Sequence, residues 1–233
     1  MKDKKALIKQ INDTQIKPLV KSDAFLRWNM QSYAYSEFGN EAQRLQPSKT
    51  GSTDFTNIRN MSNAWDYVLQ RLKSKKPISL AEVCHINTLI AQNNNSGIPG
   101  GTFRYSMAYT LGQTAPNPAI VMDLLNTAIY TMNTYKNDTL TKAFDIHYDI
   151  ITIQPFCDFN KRTARIVMNW YLLQNNYTPI MFNKKEDTTQ YTAALRARLN
   201  GDKKTYTSYT SYMYDSMLKT QHAIIKALVK RAR

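Results

Sequence analysis

Ile153-Gln-Pro-Phe-Cys-Asp-Phe-Asn-Lys-Arg-Thr-Ala-Arg165 packs three cations, one carboxylate and one asparagine into a short stretch between two apolar runs. A turn that feeds a helix N-terminus presents backbone N–H groups without intrahelical partners and the positive end of the helix dipole, so it favours phosphates. Arg162 and Arg165 are three apart, share a helix face and can fork onto two phosphates. Asp158, just ahead of the helix, is placed to hold Mg²⁺ bridging those phosphates. The chemistry favours an anion or nucleotide site here over the competing reading, a helix start whose charges are merely solvated. Cys157, beside Asp158, has no flanking base and only one helix N-terminus to lower its pKa, so it reads as a buried filler and not as a nucleophile.

Two apolar helices must hold this turn. Asp138-Thr139 caps the first, in which Ala143, Phe144, Ile146, His147, Ile150, Ile151 and Ile153 cover most of the circumference, the mark of a buried helix. The second runs from about Asn160 to Gln174. Upstream, Ile58, Met61, Trp65, Val68, Leu69 and Leu72 recur with helical spacing, and Lys73 to Pro77 ends that helix. Ser79-Leu-Ala-Glu82 is a capping box that opens a helix reaching about Gln92. Helical spacing also covers residues 4–20 and 23–36, with a loop from Phe38 to Asp54. Asn93 to Gln113 breaks the helical pattern: Pro99-Gly100-Gly101 is turn chemistry and Thr102-Phe-Arg-Tyr alternates, which predicts a short β-hairpin at about 100–112. Pro116-Asn-Pro118 starts a further helix with a stripe from Ile120 to Met132, and helices from Asp187 to Leu199 and from Thr205 onward complete the chain. The expected fold is an all-α bundle with a small β-hairpin flap.

The 233 residues suffice for one core, and 42% apolar residues with 11% aromatics exclude a wholly disordered chain. Seven Gly and eight Pro are too few for a turn-rich β-sandwich. No apolar run reaches the ~18–20 residues of a membrane span, and no signal peptide is visible. Cys84 and Cys157 are too few for a disulfide framework, which fits a reducing, cytoplasmic-type compartment. The net charge of +14 favours encounter with polyanions. Part of it lies at the C-terminus, where Lys219, Lys226, Lys230, Arg231 and Arg233 interleave with Ile224, Ile225, Leu228 and Val229. That pattern is an amphipathic basic helix packing its apolar stripe on the domain; binding of an anionic membrane surface or nucleic acid through it is the less favoured alternative.

Gln154-Pro-Phe-Cys-Asp-Phe-Asn-Lys-Arg-Thr-Ala-Arg165 resembles the Fic (Fido) family motif, His-Pro-Phe-x-Asp/Glu-Gly-Asn-Gly-Arg-x-x-Arg, with three departures. His147-Tyr-Asp-Ile-Ile-Thr-Ile is similar to the family's preceding helix, Pro99-Gly-Gly-Thr-Phe-Arg104 to its target-docking flap, and Gln190-Tyr-Thr-Ala-Ala-Leu195 with Gly201-Asp202 to its following helix. The resemblance covers roughly residues 56–220, read as a Fic-like core between N-terminal helices over 1–55 and the basic end at 221–233. It implies transfer of AMP from ATP to a hydroxyl of a target protein. By the same resemblance Asp158 binds Mg²⁺, Asn160 and the turn amides hold the α-phosphate, and Lys161, Arg162 and Arg165 sit at the phosphates. Thr102, Phe103, Arg104 and Tyr105 would clamp the target segment in β-like register. Ser32 to Asn40 looks related to the family's inhibitory element, but no register satisfies it; Glu37 is the candidate inhibitory carboxylate, with an exposed loop-edge acid as the plainer reading.

Residue 154 decides the functional expectation. The family's motif histidine is the general base, and here it is Gln154, whose amide can orient a hydroxyl but not deprotonate it. General-base catalysis is typically worth ~10²–10⁴ in rate, so a weak or inactive transferase is expected. His147 lies two helical turns before Gln154 and reads as a core histidine, while His85 and His222 read as structural or exposed. Phe159 and Lys161 replace the motif's two glycines, and Asn160-Lys-Arg-Thr163 looks like the Doc-toxin branch, associated with phosphate transfer. The alternative is a non-catalytic nucleotide-binding or partner-binding module, a secreted effector included, that uses the basic surface.

Overall fold

The computed structural model describes residues 2–16, 51–93, 97, 99–182, 185–200 and 203–231. Glu37, the whole 23–36 segment and the expected loop from Phe38 lie outside the described residues up to 50. The chain divides into two compact units, Glu41–Tyr171 and the pairing of Met1–Asn40 with Leu172–Arg233. The boundary falls within the stretch 56–220 read from the sequence as one core.

The Glu41–Tyr171 unit carries the motif. Its helices are α2 (Gly51–Leu72), α3 (Leu80–Ala91), α4 (Val121–Thr134), α5 (Thr139–Ile153) and the start of α6 (Asn160–Gln174). α2 begins at Gly51, inside the segment expected to be loop. The capping box forms as expected: the Glu82 N–H donates to Ser79 Oγ and the Ser79 N–H donates to Glu82 Oε2, so two orphan amides are satisfied at once. Glu82 also pairs with Arg71 of α2, which ties the start of α3 to the helix before it. α5 is capped by Asp138, whose carboxylate accepts from the Thr141 N–H and hydroxyl. Leu140, Ala143, Phe144, Ile146, His147, Ile150, Ile151 and Ile153 are all buried, so α5 is the core helix that its sequence predicts.

The hairpin lies later in the chain than its glycines suggest. β1 (Tyr109–Thr110) pairs antiparallel with β2 (Gln113–Thr114), in the register Tyr109 to Thr114 and Thr110 to Gln113. Its turn residues Leu111 and Gly112 have φ 56° and 87°, the left-handed pair that a tight two-residue hairpin needs. Gly100 and Gly101 serve a different purpose. A Cβ on Gly100 would sit 2.6 Å from Ala91 Cβ, and one on Gly101 2.2 Å from Thr88 Oγ1, so these glycines let the chain lie flush against α3.

In the other unit, α1 (Lys2–Ile11) runs into a π-helical turn at Asn12–Ile16 and packs against α8 (Lys203–Arg231), which also packs on α7 (Lys185–Leu199). Gln221 of α8 donates to Ile8 O, and Asn12 donates to Asn176 O. Ile224 is buried and Lys226 exposed, so the helix packs an apolar stripe and leaves charge outward. No helix among the described residues is long and apolar enough to cross a membrane.

Candidate functional site

The motif turn is fixed by the way α5 ends. The last carbonyls of a helix lack intrahelical partners and must find donors elsewhere. Gln154 closes α5 in the left-handed conformation, φ 49° and ψ 58°, and its N–H donates to Ile150 O at 3.1 Å. Its side-chain Nε2 turns back onto Ile151 O at 2.7 Å, which also accepts from Thr110 Oγ1 of the hairpin. Ile153 O and Gln154 O are met by the Arg104 guanidinium, at 3.3 and 2.6 Å, and Pro155 O accepts from the Arg104 N–H at 3.0 Å. Arg104 further donates to Ser106 O and Pro116 O. Its charge thus sits at the negative end of the α5 dipole, with carbonyls as its hydrogen-bond partners. Burial pulls its pKa below the ordinary guanidinium range.

Arg104 is therefore bound into the chain by its own donors. It is 4% exposed and points inward as a brace, its guanidinium meeting four backbone carbonyls and its N–H a fifth. Phe103 is likewise an anchor: its segment forms an antiparallel bridge with Phe156, and the two rings stack 5.7 Å apart. Thr102 and Tyr105 are exposed, Tyr105 at 87%.

Asn160 is likewise bound within the turn. Its Oδ1 accepts from the Phe156 N–H, and its Nδ2 donates to Phe156 O and to Gln154 Oε1, at 2.9, 2.9 and 3.1 Å. At 5% exposure the carboxamide is a clasp across the turn, engaged inside the chain and not held out to a phosphate. Gln154 is consequently held at both ends of its amide, by Ile151 and Asn160.

The charged residues of the turn differ in exposure. Asp158 and Lys161 are exposed, and Arg162 and Arg165 half-buried. The Phe159 N–H donates to Asp158 Oδ1 at 2.6 Å. Phe159, which stands at the motif's first glycine position, occupies the left-handed region at φ 61°. Arg162 lies over the Phe159 ring, 4.9 Å from the centroid, and reaches Asn57 Oδ1 of α2 at 3.4 Å. The first turn of α6 holds no acid. The Thr163 N–H makes the helix's first bond, to Phe159 O, so the Asn160, Lys161 and Arg162 amides precede the ladder.

His147 is fully buried and His85 is exposed edge-on to Tyr67, as expected of histidines outside the chemistry. Cys157 is half-buried, with Sγ 4.0 Å from Phe103 O, so it is less enclosed than a filler would be. Among the described residues, no group of three or more His, Cys, Asp or Glu could hold a metal ion by itself. A groove of ≈ 400 Å³ lined by His85, Thr88, Gln92, Asn93 and Pro99 contains none of the turn residues. Asn87 is the residue that sequence reasoning missed: buried at 1%, it donates to Asp158 O. A polar residue on the apolar stripe of α3 was the available signal.

Comparison with known proteins gives the same family. The Fic/DOC family model matches residues 77–172. The chain is 28% identical over 148 residues to a protein adenylyltransferase Fic of Drosophila grimshawi, covering 62% of this chain and 30% of that protein. It is 28% identical over 137 residues to the Drosophila melanogaster protein of that name, covering 58% and 28%. The chain thus spans under a third of the length of these relatives. Among solved structures, Fic-1 (residues 134–508) of C. elegans matches with TM-score 0.77 at 17% identity, over 99% of this chain and 73% of that one. A Fic domain containing signaling protein of Bacteroides thetaiotaomicron matches with TM-score 0.74 at 18% identity, over 97% and 95%. Capped helix, hairpin segment and motif turn, residues 77–172, are therefore a Fic/DOC family domain.

Proposed function

We propose that the chain is a nucleotide-binding module of the protein-adenylyltransferase type whose AMP transfer is weak or lost. The observation that carries this is the state of residue 154. The motif's general base must take a proton from a target hydroxyl, and a carboxamide has no basicity for that at pH 7. Here, moreover, both ends of the amide are committed to Ile151 and Asn160. The side chain serves as a brace at the point where the family places its base.

The donor set still fits a polyphosphate. Lys161, Arg162, Arg165 and the first-turn amides of α6 would hold the anion, in a helix start that contains no acid. Mg²⁺ takes one or two carboxylates and fills its other positions with phosphate oxygens and water, so the single exposed Asp158 suits it. When bound, the ion would offset phosphate charge. Thr102 and Tyr105 supply the exposed edge along which a target segment would lie, while Arg104 and Phe103 hold that edge in place.

The test is incubation of the full chain with a lysate and ATP labelled at the α- or the γ-phosphate, beside Gln154→His. Histidine accepts left-handed backbone readily, so this variant is expected to fold. Labelling from α-labelled ATP by Gln154→His, with little or none by the unaltered chain, is expected. Robust labelling by the unaltered chain would refute the reading of Gln154, and γ-label transfer would assign phosphate transfer instead. A second reading, a non-catalytic partner-binding module, draws on the +14 charge and on the exposed Tyr105, Met107 and Tyr109 beside the turn. Salt-dependent capture of an anionic partner without affinity for MgATP would favour it.

A further inference from the structure

One carboxamide joins three pieces of chain around the turn. Asn87 sits in α3 among the buried Val83, Ile86 and Ile90. Its Nδ2 donates to Asp158 O and to Thr163 Oγ1, each at 3.0 Å, and its Oδ1 accepts from the Gly101 N–H at 2.8 Å. A backbone carbonyl on one side and a backbone N–H on the other demand a donor and an acceptor from a single planar group, which an amide provides.

Neither flank has slack. Gly100 and Gly101 lie so close to α3 that neither has room for a Cβ, and the Gly101 N–H is the polar attachment of that segment to Asn87. On the other flank Asp158 directly precedes the strained Phe159, and Thr163 is fully buried. A displacement of the segment at 99–105 therefore tilts the amide plane and is felt at Asp158 O. We infer that Asn87 is a positioning residue that couples the target-docking edge to the nucleotide turn. Its functional consequence rests on the reading of that turn given above; the mechanical coupling does not.

The test uses the full chain without nucleotide, read by backbone amide hydrogen exchange. Gly101→Ala forces the segment off α3 and is expected to raise exchange at Phe159–Thr163 roughly tenfold, the scale of one lost buried hydrogen bond. Asn87→Ala should raise exchange at both Gly101–Tyr105 and Phe159–Thr163, with α4 unchanged. Adding Gly101→Ala to Asn87→Ala should then raise exchange at the turn by clearly less than the two single effects together, because the Asn87 link is gone and only the Phe103 and Arg104 contacts to residues 154–156 remain. A turn that ignores Gly101→Ala, additive effects on the turn, or a rise spread evenly over the unit would each overturn the coupling. If the double variant does not fold, the Gly101→Ala result alone decides. MgATP titration is a separate readout: an unaltered chain that binds no MgATP refutes the nucleotide reading, whereas the exchange result still decides the coupling.

Discussion

Phe159→Gly and Phe159→Ala should reverse the usual order of stability. At an ordinary position alanine is favoured over glycine by roughly 0.5–1 kcal/mol, because glycine loses more backbone freedom on folding. Phe159, however, is at φ 61°, where a Cβ meets the following carbonyl oxygen at a cost of roughly 1–2 kcal/mol. Both variants lose the same ring and the same contact with Arg162, so these losses cancel in the comparison. The difference leaves the glycine variant ahead by up to about 1.5 kcal/mol, centred at ~0.75 kcal/mol, or roughly 1.5–3 °C in Tm at that centre for a chain of this size. Thermal unfolding by circular dichroism, supported by urea midpoints, reads it directly. Alanine at or above glycine would refute the assignment of strain to residue 159. Calorimetry with MgATP adds a second check on the proposed function: removing the ring takes away one contact of Arg162 and leaves the one with Asn57, so Phe159→Gly should bind at least as tightly as the unaltered chain.

Asn160→Ala, which strips the Phe156 backbone and Gln154 Oε1 of their partner, should cost about 2–4 kcal/mol by urea unfolding, more than loss of an exposed phosphate ligand would. Arg104→Lys keeps the charge but cannot span the carbonyls that the guanidinium reaches; a loss of about 2–3 kcal/mol and faster amide exchange at 103–110 are expected. Burial pushes the Cys84 thiol up, so at pH 8 it should alkylate more slowly than in the unfolded chain. Its native pKa lies above the unfolded value of about 8.5, so its contribution to stability is full below that pH and lost as pH rises through the native pKa; urea midpoints should fall more steeply above about pH 8.5 than those of Cys84→Ala.

The helices were legible because their signals are local. Ser79 and Glu82 are three apart and satisfy each other's amides, and Asp138 caps α5 within one turn. The motif was legible because consecutive residues carry it. What the sequence concealed were choices between two uses of one residue type. Glycines mark turns and also close approaches, and Gly100-Gly101 is a close approach, so the hairpin came out later, around Leu111-Gly112. Asn160 reads as a phosphate ligand and Arg104 as part of a docking flap, but both spend donors on the chain itself, as only the end of α5 in three dimensions reveals. Asn87 was hidden for the converse reason: its three partners lie 14, 71 and 76 positions away.

An anchor made of a guanidinium and carbonyls has no proton to lose or gain in any buffer a cell meets. Acid cannot discharge the partners of Arg104, and mobile ions do little to screen a charge already surrounded by protein. The segment that it seats should therefore hold its place in concentrated salt, which would screen an anion held by Lys161, Arg162 and Arg165. On the nucleotide reading proposed above, salt would then act on the anion site while the segment at 103–106 keeps its attachment to the end of α5.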